Sequence, residues 1–160
     1  MNIRKIHIGS DHAGFELKEV LRKFLETKDY EVVDHGAFEL DPEDDYPDFI
    51  FPAVKEVSND PDSFGIILGG SGQGEAMCAN RIPGIRATVF NGQYAPADGR
   101  EVPDEIILSR QHNAANVLSL GARFISKEEA KEAVELWLET EFSGDDRHIR
   151  RISKIDKLGF

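Results

Sequence analysis

The segment Gly69-Gly70-Ser71-Gly72-Gln73-Gly74-Glu75 sets a run of glycines beside a carboxylate. Glycines let backbone N–H groups approach a ligand closely, and a helix following such a loop favours negative charge at its start. A carboxylate base next to a nest of donors suits removal of a proton adjacent to a carbonyl. The donors then stabilise the oxyanion of the enediolate. Two nucleotide loops fail the comparison. A P-loop needs lysine after its last glycine, where this chain has Glu75, the wrong charge for a nucleotide phosphate. The dinucleotide fingerprint needs glycines at relative positions one, three and six, which no frame of this loop supplies. A plain strand-to-helix turn, with Glu75 as an ordinary first-turn acid, is the competing reading. The density of glycines favours the chemical one. A helix start would lower the basicity of Glu75, and burial would raise it.

Other side chains carry weaker signals. Asp11 and His12 follow the first apolar stretch, placed either to grip sugar hydroxyls or to cap a helix and face solvent. His112, in Ser109-Arg110-Gln111-His112-Asn113, has the chemistry to protonate a ring oxygen and open a hemiacetal. A surface histidine at a helix end is the simpler alternative. Arg147, His148, Arg150 and Arg151 form a basic cluster suited to phosphate, since arginine offers bidentate donors. A solvated basic face competes with that reading, and Arg123 after Gly121 shares the ambiguity. Cys78, three residues beyond Glu75, would share its helix face, but it reads as a small core residue. No histidine, cysteine and carboxylate spacing resembles a metal site.

These groups need a scaffold, and the hydrophobic pattern supplies one. Ile6 and Ile8 alternate with polar residues and lead into Gly9, a strand ending in a loop. From Gly14, Leu17, Val20, Leu21, Phe24 and Leu25 keep helical spacing. Residues 31–34 form a short strand candidate, and the acidic stretch 41–48 a loop. Pro47 suits the first turn of a helix that buries Ile50, Ala53, Val54 and Val57. Residues 65–68 fit a fully buried strand, 75–82 a helix stopped near Pro83-Gly84, and 85–90 a further strand. The polar stretch 91–104 reads as an exposed loop. Residues 117–120 and 123–125 are strand candidates around Gly121. Ser126 and Glu129 make a capping box for a helix carrying Ala130, Ala133, Val134, Trp137 and Leu138. A last helix holds Ile149, Ile152 and Ile155. Strands alternating with helices predict a parallel sheet covered on both faces. Ligands bind such sheets beyond the carboxyl ends of the strands, where both glycine-bearing loops fall.

Composition narrows the function classes. A chain of 160 residues suits one domain. A single cysteine allows no internal disulfide, so a reducing cytosol is the simplest compartment. Met1 to Lys5 does not read as a targeting segment, and no apolar run is long enough to span a bilayer. The net charge of −11 repels nucleic acid and anionic membranes at long range. It would also repel a phosphorylated substrate, so a phosphate site must be a local basic cluster that overrides the global field.

Taken together, Gly9-Ser10-Asp11-His12-Ala13-Gly14, Asp45-Tyr46-Pro47, Gly69 to Glu75 continuing through Ala79-Asn80, Gly84-Ile85-Arg86-Ala87, Arg110-Gln111-His112-Asn113, and Arg147-His148 with Arg150-Arg151 resemble the ribose-5-phosphate isomerase B family. That family also includes galactose-6-phosphate isomerase subunits. The resemblance runs over nearly the whole chain, and the joint order of these short segments is specific. It implies a three-layer α/β/α Rossmann-like sandwich with a five-stranded parallel sheet and no metal or organic cofactor. It implies that Asp11 and His12 contact the sugar and that Tyr46 lines the pocket. Amides from Gly70, Gly72 and Gly74 would bind the enediolate oxygen, with Ser71 close to the migrating proton. His112 would assist ring opening, with Asn113 beside it. Arg123, Arg147 and Arg151 would hold the phosphate, with His148 nearby. One branch of the family uses a cysteine directly after the strand as base, and the other a glutamate at the end of the loop. This chain has Gly69 at the first position and Glu75 at the second, so Cys78 should be dispensable. The resemblance further implies a homodimer, or a tetramer, with the active site shared between subunits. The stretch between Phe90 and Ser109 is longer than the family leads one to expect, with an extended loop near 91–105.

The leading expectation is interconversion of ribose 5-phosphate and ribulose 5-phosphate through an enediolate. A six-carbon sugar phosphate such as allose 6-phosphate or galactose 6-phosphate is the close rival. A non-catalytic sugar-phosphate-binding protein and a flavodoxin-like FMN module are further alternatives. The first of these has no need of Glu75, Ser71 and His112 together, and the second predicts a coloured protein.

Overall fold

A computed structural model describes residues 4–159. Of the N-terminal reading, Met1 to Ile3 lie outside the described residues. Five strands alternate with six helices: β1 Lys5–Ser10, α1 Phe15–Glu26, β2 Glu31–Asp34, α2 Pro47–Asn59, β3 Phe64–Gly69, α3 Gln73–Ala79, β4 Ala87–Phe90, α4 Glu105–Asn113, β5 Val117–Gly121, α5 Lys127–Glu139 and α6 Asp146–Asp156. The strands pair in parallel in the order β2-β1-β3-β5-β4. Between β1 and β3 the order reverses direction. That switch point leaves a crevice beyond the strand ends, and it lies between the Asp11 turn and the Gly69 loop. Among the described residues no helix is long and apolar enough to cross a membrane.

Side-chain alternation along the buried strands builds two cores. Ile6, Ile8, Ile66, Leu68, Leu118 and Leu120 face one side, against Leu17, Leu21 and Leu25 of α1 and Val134, Trp137 and Leu138 of α5. Ile67 and Val117 face the other, against Ile50, Val54 and Val57 of α2 and Ala79 of α3. The result is the three-layer sandwich, helices on both faces of a parallel sheet. The capping box forms, with Ser126 Oγ accepting from Glu129 N at 3.2 Å and Glu129 Oε2 accepting from Ser126 N at 2.9 Å.

Besides α4, for which the sequence reading names no element, the elements depart from it in three places. Residues 123–125 are a turn and not a strand. Phe124 N donates to Gly121 O, and Arg123 N donates to Gly70 O, so this backbone serves the glycine loop instead of extending the sheet. Helix α3 begins at Gln73, because Gly72 at φ 75° provides its left-handed entry, and it ends at Ala79 rather than Ile82. Strand β4 begins at Ala87. Ile82 and Ile85 still join the α2 core from the connection, which is why apolar periodicity extends both elements too far.

α6 sits outside the two cores. Of its side chains only His148 is buried, while Ile149 and Ile155 are each 49% exposed.

A histidine pair lies between β1 and the end of β2. His7 Nδ1 and His35 Nε2 are 2.9 Å apart, and His7 is buried. Burial holds both rings below the ordinary imidazole range; His35 lowers His7 further, and Glu56 opposes the shift in both. The folded chain therefore takes up protons less readily here than the unfolded chain. Stability contributed by the neutral pair is complete above about pH 6.5, the ordinary imidazole value. It is lost as pH falls below that value toward the folded ones. His35→Gln should flatten the fall in Tm between pH 7 and pH 5; a slope as steep as that of wild type would overturn this assignment.

Candidate active site

Glu75 is buried at the first turn of α3. The cause is local. A Cβ placed on Gly69 would lie 1.8 Å from Glu75 Oε1, so the carboxylate rests in the space that a side chain at position 69 would fill. Desolvation raises the Glu75 pKa above the ordinary carboxylate range. The backbone N–H groups of Glu75 and Gly72 pull it down, and the charge of Asp11 adds to the rise. Burial thus prevails over the helix start, the balance that sequence left open. A carboxylate held in this way is a stronger base than a solvated one.

Around it stand several of the residues singled out by sequence. Asp11 is buried after β1, with Oδ1 accepting from Ala13 N at 3.0 Å and Gly14 N at 3.4 Å. It is therefore a helix cap as well as a neighbour of Glu75. Arg123 lies over the loop, since a Cβ on Gly70 would meet its Nη1 at 2.8 Å. Tyr46 packs on Gly74, where a Cβ would meet the ring Cζ at 2.8 Å. Ser71 lies at the turn between them, and its Oγ accepts from Gln73 N at 3.3 Å. Asp11, His12, Tyr46, Gly70 to Gly74, Glu75 and Arg123 thus converge at the carboxyl end of β1, β3 and β5.

Sequence reading missed Asp44. Its Oδ1 accepts from His12 N at 3.0 Å and lies 2.7 Å from His12 Nδ1. That hydrogen bond raises the His12 pKa, with Asp11 assisting and Arg123 opposing. The ring is held with Nδ1 toward Asp44 and becomes a cation more readily than a free imidazole. Nothing in the acidic loop 41–48 signals this contact, because it depends on the loop folding back over the end of β1. Asp11, His12 and Asp44 also form the one group of three potential metal-ligating side chains among the described residues, their donor atoms within 4.8 Å of one another. Asp44 Oδ1 and His12 Nδ1 already engage each other, and Asp11 Oδ1 is engaged by backbone amides. The arrangement is that of a positioned histidine.

The remaining predicted residues form a second cluster. The His112 and His148 rings stack with centroids 4.2 Å apart and planes at 16°. Burial lowers the His148 pKa, with His112, Arg147 and Arg151 in the same direction and Asp145 opposed. His148 Nε2 is buried and unpartnered, with Asp145 Oδ2 at 3.8 Å. Arg147 and Arg151 are exposed on α6. Asn113 closes α4, and its carbonyl accepts from Arg86 Nε, just before β4.

The two clusters do not meet within one chain. Glu105 N is held by Gln93 on the loop leaving β4, so α4 starts at the carboxyl end of the sheet. It runs back to Asn113 beside the start of β4 and ahead of β5. At roughly 3.3 Å per residue the length of β5 alone separates the ends by about 15 Å. Arg123 belongs to the Glu75 end, and Arg147 and Arg151 to the other. Cys78 lies half-buried against the α2 core; desolvation, then the charge of Glu75, raises its thiol pKa. That is the wrong direction for a reactive thiolate.

Known proteins resemble this chain in fold and in sequence. The family model for Ribose/Galactose Isomerase matches residues 6–155. Ribose-5-phosphate isomerase B of Mycolicibacterium paratuberculosis is 40% identical over 149 residues, covering 92% of this chain and 87% of that protein. The crystal structure of ribose-5-phosphate isomerase B from Mycoplasma genitalium with bound ribulose 5-phosphate superposes with a TM-score of 0.85. It is 37% identical and covers 98% of this chain and 96% of that one. The Thermotoga maritima ribose 5-phosphate isomerase structure has a TM-score of 0.84 and 41% identity, over 99% of this chain and all of that one.

Proposed function

Because this chain belongs to the ribose/galactose isomerase family, we propose that it interconverts ribose 5-phosphate and ribulose 5-phosphate, with Glu75 as the base. The observation that carries the reading is the buried carboxylate of Glu75, kept basic by desolvation and set against the end of β3 beside a glycine nest. Glu75 takes the proton from C2 of the open-chain aldose and returns it to C1, while the hydroxyl proton on O2 passes to O1. The loop amides stabilise the enediolate oxyanion between the two transfers. Ser71 stands close to the migrating proton. Asp11 and His12 hold the sugar, with His12 oriented by Asp44.

The second cluster completes the site from another subunit. Within one chain His112, Arg147, His148 and Arg151 sit at the opposite end of the sheet from Glu75, yet ring opening and phosphate binding must happen on the same substrate. A homodimer that places α6 of one subunit over the glycine loop of the other joins the halves. It would cover the exposed Ile149 and Ile155. In that arrangement His112 opens the sugar ring, with Asn113 beside it, and Arg147 and Arg151 join Arg123 on the phosphate.

The test is conversion of ribose 5-phosphate to ribulose 5-phosphate, run beside allose 6-phosphate and galactose 6-phosphate, by wild type and Cys78→Ala. Conversion of the pentose phosphate with equal rates for the two proteins is expected. A folded wild type that turns over only a six-carbon sugar phosphate would reject the pentose substrate, and an inactive Cys78→Ala would reject Glu75 as the sole base.

A further inference from the structure

We propose that Asn91, assisted by Ser119, is a positioning residue that sets the direction of the oxyanion donors. The inference rests on the enediolate reading above. Four successive carbonyls of the loop after β3 are tied to one side. Gly69 O accepts from Ala122 N at 2.9 Å and Gly70 O from Arg123 N at 3.2 Å. Ser71 O accepts from Asn91 Nδ2 at 2.9 Å, and Gly72 O from Ser119 Oγ at 2.6 Å. In a trans peptide the C=O of one residue and the N–H of the next point in opposite directions. Holding these carbonyls toward the end of β5 therefore turns the N–H groups of Gly70, Ser71 and Gly72 away from it, that of Gly72 toward the Glu75 carboxylate, while Gln73 N donates to Ser71 Oγ.

Two of these four ties are backbone contacts. The other two come from side chains: Asn91 holds the Ser71 carbonyl, and Ser119 shares the Gly72 carbonyl with Ala76 N of α3, which donates to it at 3.1 Å. Asn91 is the first residue after the edge strand β4. Its amide is used at both ends: Nδ2 donates to Ser71 O, while Oδ1 accepts from Gly121 N at 2.8 Å. A Cβ on Gly121 would lie 2.4 Å from Asn91 Oδ1 and 2.8 Å from Ser71 O, so the absence of a side chain at Gly121 lets the three strand ends close. Ser119 is fully buried on β5, aimed at Gly72, whose φ of 75° allows the turn. Its second bond fixes Gly121 N, two residues before Arg123. Its effect on the oxyanion donors passes through the Ser71–Gly72 peptide, and it is the residue from which the 91–104 loop departs. Loop conformation and donor geometry thus share one side chain.

The experiment compares wild type, Asn91→Ala, Asn91→Asp, Ser119→Ala and the control Gln93→Ala, whose side chain hydrogen-bonds to Tyr94 O and Glu105 N. For Asn91→Ala the expected loss in kcat is roughly 10–100-fold with KM nearly unchanged, the size expected of misplaced oxyanion donors. Asn91→Asp should lose more, because a carboxylate oxygen then faces the Ser71 carbonyl. Ser119→Ala should lose less than Asn91→Ala, and Gln93→Ala nothing. A four-carbon hydroxamate phosphate, which copies the planar enediolate, should lose affinity in step with kcat. Ribitol 5-phosphate, which has no oxyanion, should bind as before. Equal weakening of both ligands, or unchanged kcat in folded Asn91→Asp, overturns the proposal. A wild type that does not turn over ribose 5-phosphate would instead fail the functional reading.

Discussion

Glu75→Gln should lose roughly 10²–10⁴-fold in kcat for ribose 5-phosphate, the contribution expected of a general base, and the same protein should unfold at a higher temperature than wild type at pH 8. Both effects have one origin. The carboxylate is buried, and its pKa is raised chiefly by desolvation. An acid whose folded pKa lies above its unfolded one binds its proton more tightly in the folded state. Stability is therefore lost as pH rises from the unfolded value through the folded one, and the loss is complete above both. Glutamine keeps the shape and can accept the same Gly72 and Glu75 amides, without a charge to desolvate. The Tm gain should be full at pH 8 and fade toward pH 4, where wild type is neutral at this position. The pH profile of kcat/KM in wild type should have its acidic limb above the ordinary carboxylate range. Undiminished turnover in the variant would remove Glu75 from the mechanism. A Tm difference that does not change with pH would mean that ionisation of Glu75 is not what the fold is resisting.

The second large effect is recovery of activity from two inactive proteins. Glu75→Gln lacks the proposed base at one end of the sheet, and the double variant Arg147→Ala/Arg151→Ala lacks the proposed phosphate ligands at the other. Mixed and allowed to exchange subunits, they should regain up to about a quarter of wild-type activity, because random pairing in a two-fold dimer leaves one intact site in each mixed pair. Heating or dilution to promote exchange should speed the recovery. A mixture no more active than the sum of its parts, with exchange shown by a mass tag, would mean that each site is built from one chain.

Much of the scaffold was legible. The α1 and α5 stripes, the buried 65–68 run and the Ser126/Glu129 box follow from periodicity and local hydrogen bonding, which sequence carries directly. Strand ends were less so. Ile82 and Ile85 are apolar because they plug a core from a connection, and Arg123 to Ile125 look like a strand because Phe124 and Ile125 flank a turn. The Glu75 carboxylate and its glycine loop were legible because glycine density is a local signal. The His12–Asp44 pair and the Asn91 clamp were not, because each joins segments 32 and 20 residues apart through a polar residue that looks ordinary in its own loop. Sequence named the residues of both clusters, but not that His112 and His148 stack.

The overlap at Gly69 also bears on descent. A cysteine at position 69, the base that the resemblance assigns to the other branch, would place its Cβ 1.8 Å from the Glu75 carboxylate oxygen. The two side chains compete for one space. Gaining the thiol while Glu75 stays displaces the carboxylate, and, if Glu75 is the base proposed above, losing it first leaves the site without one. Under that mechanism the order of the two substitutions matters, which is sign epistasis between these two codons.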